Sequence, residues 1–504
     1  MALINSVISW IMKKRIHQIE LFMKYPHEVQ GEWFKKLINT AKNTEWGKRY
    51  DFSSISSYET FRERIPISDY EAMKGDIDRL MKGEQNILWP SDIRLFAKSS
   101  GTTSEKSKFI PVSAESLEEC HFKGGKDMLG MYCHNYPETL LFDGRGLAMG
   151  GSHTIKEVNN EEFYVGDLSA LIIQKLPNWA EFIRVPKRKL ALMGEWEEKI
   201  EKMAHATIPH NVTSLSGVPS WTLLLLNRIL EITGKENILE VWPNLEVFFH
   251  GGVNFAPYRN QFEIVIPSSQ MHYKNTYNAS EGFFGLQDER DTEELLLMLD
   301  YGIFYEFIPM DEIDHEYPRA IPLSEVEKDV NYAMVITTNA GLWRYLIGDT
   351  VKFTSTDPYR ILITGRTKSF INAFGEELIV ENAEKALDIA TSKCKASIQD
   401  YTAAPIYLEG KERAAHEWLI EFKEEPENLE FFSETLDNAL KSLNSDYEAK
   451  RYHDMILRKP IVRKMPPDTF YEWMKKRGKL GGQNKVPRLA NNRAYVDEIL
   501  KMIE

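Results

Sequence analysis

Apolar and polar positions change their spacing several times along this chain, and each change marks a different kind of element. From residue 5 to about residue 90 apolar side chains recur every three to four positions, which predicts helices. "RLFAKS" and "KFIPVS" then read as short strands on either side of the loop "SGTTSE", and "AESLEECHFKGGKDMLGMY" reads as a helix. "WTLLLLNRILEIT" is a strongly apolar helix, with Pro219 and Ser220 at its start because proline is favoured in a first turn. The pattern then turns strand-rich: "LEVFFHGG", "FEIVIPS", "GIFYEFIP", "YAMVITT", "LWRYLIG", "TVKFTS" and "YRILITG" carry β-branched and aromatic residues, with turn residues between most of them. Together these segments predict a mixed α/β body. Beyond "GRTKSF" the texture changes to helix "VENAEKALDIAT", strand "HEWLIEF", helix "NLEFFSETLDNALKSLNSDYEAKRY" and a basic tail, a small α+β domain of its own. No internal repeat or low-complexity segment interrupts this order.

Composition narrows the classes. At 504 residues the chain exceeds one ordinary core and suggests roughly two to four domains or subdomains. Hydrophobic, charged and aromatic shares of 43%, 27% and 12% are those of a soluble globular protein. A net charge of −13 argues against nucleic-acid and anionic-membrane partners, so any anionic ligand must be captured locally. The three cysteines, Cys120, Cys133 and Cys394, form neither a disulfide framework nor a zinc-like spacing, which fits a reducing cytoplasm. At the N-terminus an apolar run is broken by Lys13, Lys14 and Arg15, far short of the roughly 20 residues of a membrane span. Its charges follow the apolar part, the reverse of a secretory signal, so an amphipathic helix docked on the body is expected.

Six segments carry candidate chemistry. In "LFAKSSGTTSEKSKFIPV", Gly101 lets backbone N–H groups approach an anion. Ser99, Ser100, Thr102 and Thr103 offer hydroxyls, and Lys106 and Lys108 add charge. At about 1.5–3 kcal/mol for each charge-assisted bond, several together can hold a triphosphate. A P-loop is excluded by the missing GxxxxGK[ST] and by the strand that follows, where a helix is required; alone, such a segment is more often a solvated turn. "HGGVNFAP" places two glycines at a strand end, where a flat ligand can lie against the backbone, or simply makes a tight turn. "NTYNASEGFFG" has no clean period and gathers Tyr277, which can stack on a purine, Ser280, which can bond a phosphate, and Glu281, which can carry a divalent metal. Alternatively Glu281 is a surface residue beside buried phenylalanines. In "GLWRYLIGDTVKF" the Gly348-Asp349 pair reads as a turn between strands, presenting a carboxylate to the two hydroxyls of a ribose or merely closing a hairpin. "ITGRTKSFINAFGEEL" places Arg366 in a turn ahead of a strand and a second glycine turn. "GKLGGQNKVPRL" is a glycine-rich basic loop ending in Lys485 and Arg488, or a solvated tail. In this order they form the parts needed to activate a carboxylate with ATP.

The ordered set resembles the adenylate-forming superfamily of acyl-CoA synthetases, luciferases and nonribosomal adenylation domains. Within it, "SSGTT", "GVPSW", "FFHGGVNFAPY", "YNASEGFFG", "RYLIGDTVKF" and "GGQNKVPRL" resemble the Gretchen Hagen family of acyl-acid amido synthetases, known from auxin and jasmonate conjugation in plants, with bacterial relatives. The resemblance implies an α/β fold. Its large N-terminal adenylation domain, residues 1–368, has mixed sheets and a β-barrel-like part flanked by helices, and a smaller, mobile α+β domain spans residues 369–504. It implies that Ser99, Ser100, Gly101, Thr102, Thr103 and Lys108 form the phosphate loop and that Gly251, Gly252 and Val253 line the adenine. Tyr277 would lie at the base, Ser280 on a phosphate, Glu281 on magnesium, and Asp349 on the ribose with Arg366 close by. Lys485 is the candidate for the catalytic lysine of the C-terminal domain, with Lys479 as second choice, and the hinge falls near Lys368 and Ser369. Relatives carry a second glycine in the phosphate loop where Ser104 and Glu105 stand here, which implies a stiffer loop.

The implied reaction joins a small carboxylic acid to AMP, using ATP and Mg²⁺, and passes the acyl group to an amine, in the first instance an amino acid. The segment "GRTKSFINAFGEELIVENAE" looks closer to acyl-CoA synthetases and luciferases, which keeps an acyl-CoA or acyl-carrier acceptor open beside it. A non-catalytic nucleotide-binding relative is the remaining alternative, and Glu281, Asp349 and the C-terminal lysine argue against it. A cytoplasmic monomer acting on small molecules is expected, with an acid pocket among residues 130–225.

Overall fold

The strand-rich middle of the chain assembles in the way its hydrophobic runs require. In the computed structural model, residues 14–503 are described, apart from 101–106, 254, 314, 368–369, 377, 408–413, 453–455 and 478–485. The described residues divide into two compact units, one within Met1–Ser99, Phe109–Gly252 and Phe262–Thr367, the other within Ser100–Lys108, Val253–Gln261 and Lys368–Glu504.

Among the described residues the first unit holds a twelve-stranded sheet and a four-stranded sheet. One half of the large sheet is parallel: Arg145–Ala148 pairs with Val212–Gly217, then Val247–Gly251, then His272–Ala279. Parallel strands are covered on both faces, which explains why Val247–His250, apolar up to Phe249, is buried without alternation. Two of the parallel strands are linked through the Pro219–Thr233 helix, which starts at Pro219 as expected and ends at Gly234 with φ +65°. Its Leu223, Leu225, Leu226 and Ile229 are buried, each worth roughly 1.5–3 kcal/mol. The other half is an antiparallel meander of Ile303–Pro309, Asn331–Thr338, Tyr345–Thr356 and Tyr359–Arg366. The strands expected as a barrel-like part thus run on, edge to edge, from the parallel half in one sheet.

Four local readings change. "FEIVIPS", read as a strand, opens with the last turn of the Ala256–Val265 helix: Phe262, Val265 and Ile266 are buried at the i, i+3, i+4 spacing of a helix while Ile264 is exposed. "LWRYLIG" and "TVKFTS" are one strand, Tyr345–Thr356, because Gly348 at φ +95° continues the strand through an irregular step in place of a turn. The helix after the Ser107–Val112 strand contains a π-helical turn, Leu117–Phe122, before it continues as Lys123–Asn135. Ser113 caps its start by accepting from Ser116 N at 2.9 Å. The C-terminal helix read as one element is two, Leu429–Leu443 and Ser445–Arg451, with Asn444 capping the second through Tyr447 N at 2.8 Å.

Residues 14–24 are helical and dock on the first unit. Ile19 and Phe22 are buried, and Arg15 reaches Asp127 at 2.7 Å and Asp300 at 2.6 Å. Among the described residues no helix is long and apolar enough to cross a membrane.

In the second unit Ser397–Ile406, Ala415–Glu424 and Ile461–Met465 form a sheet beside the helices. The expected second glycine turn is present between Phe370–Ile371 and Leu378–Ile379, with Gly375 at φ +87°. Glu376 holds that turn by accepting from Phe374 N at 2.6 Å, and it also meets His416 Nε2 at 2.8 Å.

Candidate active site

The candidate site begins with strand register. Asp349 and Arg366 are direct partners in the antiparallel ladder, so their side chains meet across it. Arg366 Nε donates to Asp349 Oδ1 at 2.7 Å. Neither residue lies in a turn: Asp349 is inside a strand and Arg366 is the last residue of the next one, a correction that follows from the continuous Tyr345–Thr356 strand. Tyr277, on His272–Ala279, donates from its hydroxyl to Asp349 Oδ2 at 2.6 Å. Each carboxylate oxygen therefore accepts one internal bond and keeps one acceptor position for a ligand.

Electrostatics fix the protonation of this trio. Burial, and then the Asp349 carboxylate, push the Tyr277 hydroxyl far above its ordinary pKa, so it remains a donor. Burial pulls the Arg366 guanidinium down, but the charge and hydrogen bond of Asp349, with smaller contributions from Glu281 and Tyr277, together outweigh it and leave Arg366 raised. Tyr277 is 6% exposed and its ring packs edge-on against Phe284 at 4.8 Å. The group of Tyr277 that meets Asp349 is the hydroxyl.

Ser280 and Glu281 form the two-residue turn of a hairpin, since Ala279 pairs with Gly282. The segment without a period is thus two strands and a tight turn, and both side chains project from its tip, half-buried. The negative charge of Glu281 adds to the causes that raise the pKa values of Tyr277, Arg366 and Tyr345. Among the described residues no cluster of three or more His, Cys, Asp or Glu side chains forms a preformed metal site. Glu281 alone suits a magnesium ion that arrives on phosphates, because such ions take one or two carboxylates and fill the remaining positions with phosphate and water.

The glycine pair lies beside the same strand. Gly251 ends Val247–Gly251 and pairs with Thr276; a Cβ there would stand 2.5 Å from Thr276 O. Gly252 follows at φ +81°, and Val253 continues in a bend. Ser99 and Ser100 end the Leu95–Ser100 strand, and Lys108 is buried in Ser107–Val112. Gly101, Thr102 and Thr103 lie outside the described residues, as do Ser104, Glu105, Lys106, the hinge at Lys368 and Ser369, and both candidate lysines, Lys479 and Lys485. The residues after Lys485 are anchored: Val486 and Leu489 are buried, and Arg488 O accepts from Ala403 N at 2.9 Å.

Two groups escape sequence reasoning. His121, in the π-helical turn, is buried with Nδ1 3.2 Å from Asn278 Oδ1, and burial pushes its pKa down to about 4. Tyr345 is fully buried and shares a strand with Asp349. An aromatic residue four positions before the candidate ribose acid was the only signal for it; for His121 there was none.

The fold matches solved adenylate-forming structures. Against the AtGH3.15 acyl acid amido synthetase in complex with 2,4-DB the TM-score is 0.64 at 16% identity, covering 97% of this chain and 96% of that one. Against a 2-hydroxyisobutyryl-CoA ligase in complex with 2-HIB-AMP and CoA it is 0.57 at 14% identity, covering 94% and 91%. The chain belongs to the GH3 family, the one its motifs resemble: it matches the family's N-terminal domain over residues 15–271, its central domain over 296–366 and its C-terminal domain over 381–494. Relatives include the indole-3-acetic acid-amido synthetase GH3.3 of Arabidopsis thaliana, 22% identical over 94% of this chain and 91% of that protein. The 4-substituted benzoates-glutamate ligase GH3.12 of the same plant is 22% identical over 91% and 92%. The jasmonoyl–L-amino acid synthetase JAR4 of Nicotiana attenuata is 23% identical over 76% of each.

Proposed function

We propose that this chain is an ATP-dependent acyl-acid amido synthetase, with residues 1–368 as the adenylating domain and 369–504 as a smaller mobile domain. A carboxylate is a poor electrophile because its leaving group is oxide. In the first step its oxygen attacks the α-phosphorus of ATP, the bond to the β-phosphate oxygen breaks, and pyrophosphate leaves with its charge spread over several oxygens. In the second step an amine, in the first instance that of an amino acid, attacks the acyl carbon, loses a proton, and releases AMP.

The observation that carries this reading is Asp349, braced by Tyr277 and Arg366 and left with acceptor positions suited to a ribose diol. In this reading Ser280, at the hairpin tip, would bind a phosphate, Gly251, Gly252 and Val253 would line the adenine, and Ser99, Ser100, Gly101, Thr102, Thr103 and Lys108 would hold the outer phosphates. Magnesium, held by Glu281 and the phosphates, would supply charge neutralisation of the leaving pyrophosphate. Lys485 would add a positive charge to the same oxygens. Most of the acceleration comes from positioning and charge compensation.

ATP–pyrophosphate exchange across a panel of small carboxylic acids tests the first step, and amine and CoA acceptors on any active acid test the second. Amide formation with CoA inert supports the proposal. Thioester formation in place of amide moves the chain to the acyl-CoA ligases, and no exchange with any acid leaves a nucleotide-binding relative.

A further inference from the structure

We propose that His121 is a specificity-determining residue for the acid, its Nε2 accepting a hydrogen bond from a hydroxyl that the carboxylic acid carries near its carboxylate. The inference deepens the adenylating reading and rests on it for the place of the acid.

Two contacts frame a slot between one helix and one strand face. His121, in the Leu117–Phe122 turn, has Nδ1 3.2 Å from Asn278 Oδ1, and the Tyr132 hydroxyl, further along the same helix, lies 2.8 Å from His272 Nδ1. Asn278 and His272 are at even spacing on the His272–Ala279 strand, so they share a face with Thr276 and Lys274. Tyr277 uses the opposite face, where it meets Asp349. Between the two contacts the helix has Gly125, where an added Cβ would find nothing within 4 Å. Beyond it Met128, Tyr132, Phe249, Lys274 and Thr276 line a small cavity. The His121 end of the slot lies at the carboxyl ends of the parallel strands, where ligands of open α/β sheets bind. Asn278 also stands just before Ser280, only about 7 Å of extended chain away. An acid whose carboxylate meets a phosphate on Ser280 therefore passes His121 within a few bonds.

His121 is buried, and it sits in a π-helical turn, a rare geometry found frequently at functional sites. Facing the Asn278 amide oxygen, Nδ1 carries the ring proton, which leaves Nε2 as an acceptor. Nε2 has no partner among the described residues, an uncommon state for a polar atom in a buried side chain. Burial pushes the pKa down to about 4, so the ring is neutral near pH 7. A neutral acceptor gains nothing from a carboxylate, which has no proton to give, but it suits a hydroxyl. An acid without that hydroxyl is disfavoured, because it leaves Nε2 unpaired.

The test is ATP–pyrophosphate exchange by the full chain on matched acids: 3-hydroxybutyrate against butyrate, salicylate against benzoate, and the methoxy counterpart of each hydroxy acid. For at least one pair kcat/KM should be higher by about 10- to 100-fold for the hydroxy acid, with the methoxy acid no better than the unsubstituted one. His121→Phe keeps a flat ring and loses the acceptor. In it the preference should shrink to within about twofold through a raised KM for the hydroxy acid, while the KM for ATP stays as in the wild type. A wild type without the preference, equal preference for the methoxy acids, or a His121→Phe protein that keeps the preference would overturn the proposal. If His121→Phe does not fold, the wild-type comparison of hydroxy, methoxy and unsubstituted acids decides. Calorimetric binding of the same acids separates the proposal from the reading it rests on. Hydroxy acids bound without any exchange, and weakened by His121→Phe, would remove the ligase reading and keep the assignment of His121. No acid bound would remove both.

Discussion

Asp349 shows how much of this site depends on one residue being held by two others. Replacing it with Asn keeps the shape but removes the charge that Arg366 and Tyr277 address. Exchange should fall at least about 100-fold with the far-UV circular dichroism unchanged, by analogy with the loss of a preorganised charge contact. Exchange at the wild-type rate would remove Asp349 from the ribose role. Asp349 was legible because an acid after glycine stands out between strands. Its pairing with Arg366 was legible only as proximity, since ladder register is set by the whole meander, and the bracing by Tyr277 was hidden because one strand must meet another far along the chain. His121 gives a second prediction at this scale. The unfolded imidazole takes a proton below about pH 6.5, while the folded one resists until about 4. In that window the unfolded chain binds more protons, so stability falls as pH drops, by about 3 kcal/mol once both are protonated. Denaturant midpoints of His121→Asn should therefore decline less than those of the wild type between pH 6.5 and 4, and parallel curves would show that the ring titrates normally.

Elements with a strong period were readable. The Pro219–Thr233 helix and the buried Val247–Gly251 strand follow their patterns closely. The π-helical turn at Leu117–Phe122 leaves no periodic trace, and Gly348 mimics a turn because a positive φ is usually spent in one. At the proposed adenine wall the two glycines are constrained for different reasons, and this separates two variants. A Cβ on Gly251 would meet a backbone oxygen, Thr276 O, at 2.5 Å, and backbone in a paired strand cannot yield cheaply. Gly252 has room, its nearest neighbour being Val218 Cγ2 at 3.6 Å, and only its φ of +81° resists a side chain. Gly251→Ala should cost about 1–3 kcal/mol and disturb the parallel pairing. Gly252→Ala should cost about 1–2 kcal/mol of backbone strain alone. Denaturant midpoints together with ATP affinity check this, and a Gly252→Ala protein losing more stability than Gly251→Ala would contradict it.

Across the whole molecule a net charge of −13 means that ATP is drawn in by no general field, so every phosphate contact must be local. The two half-reactions then place different demands on the chain. Adenylation expels a polyanion and needs a positive charge beside it; aminolysis expels AMP from an activated ester and needs chiefly the acceptor in place. Lys485 meets the first demand in the proposed scheme. In the sequence it directly precedes a segment fixed by Val486, Leu489 and the Ala403–Arg488 bond, so its loss should leave that fold intact. Lys485→Ala should slow pyrophosphate exchange by about 10²- to 10³-fold, the range for removing one preorganised donor of charge stabilisation. Aminolysis of a chemically prepared acyl adenylate by the same variant should slow by less than about tenfold, since no pyrophosphate leaves in that step. If Lys479→Ala shows this split and Lys485→Ala does not, the catalytic lysine is Lys479. Equal loss in both half-reactions would mean that the residue supports the structure of the C-terminal unit, and that charge compensation at the outer phosphates falls to Lys108 and the serine-threonine loop.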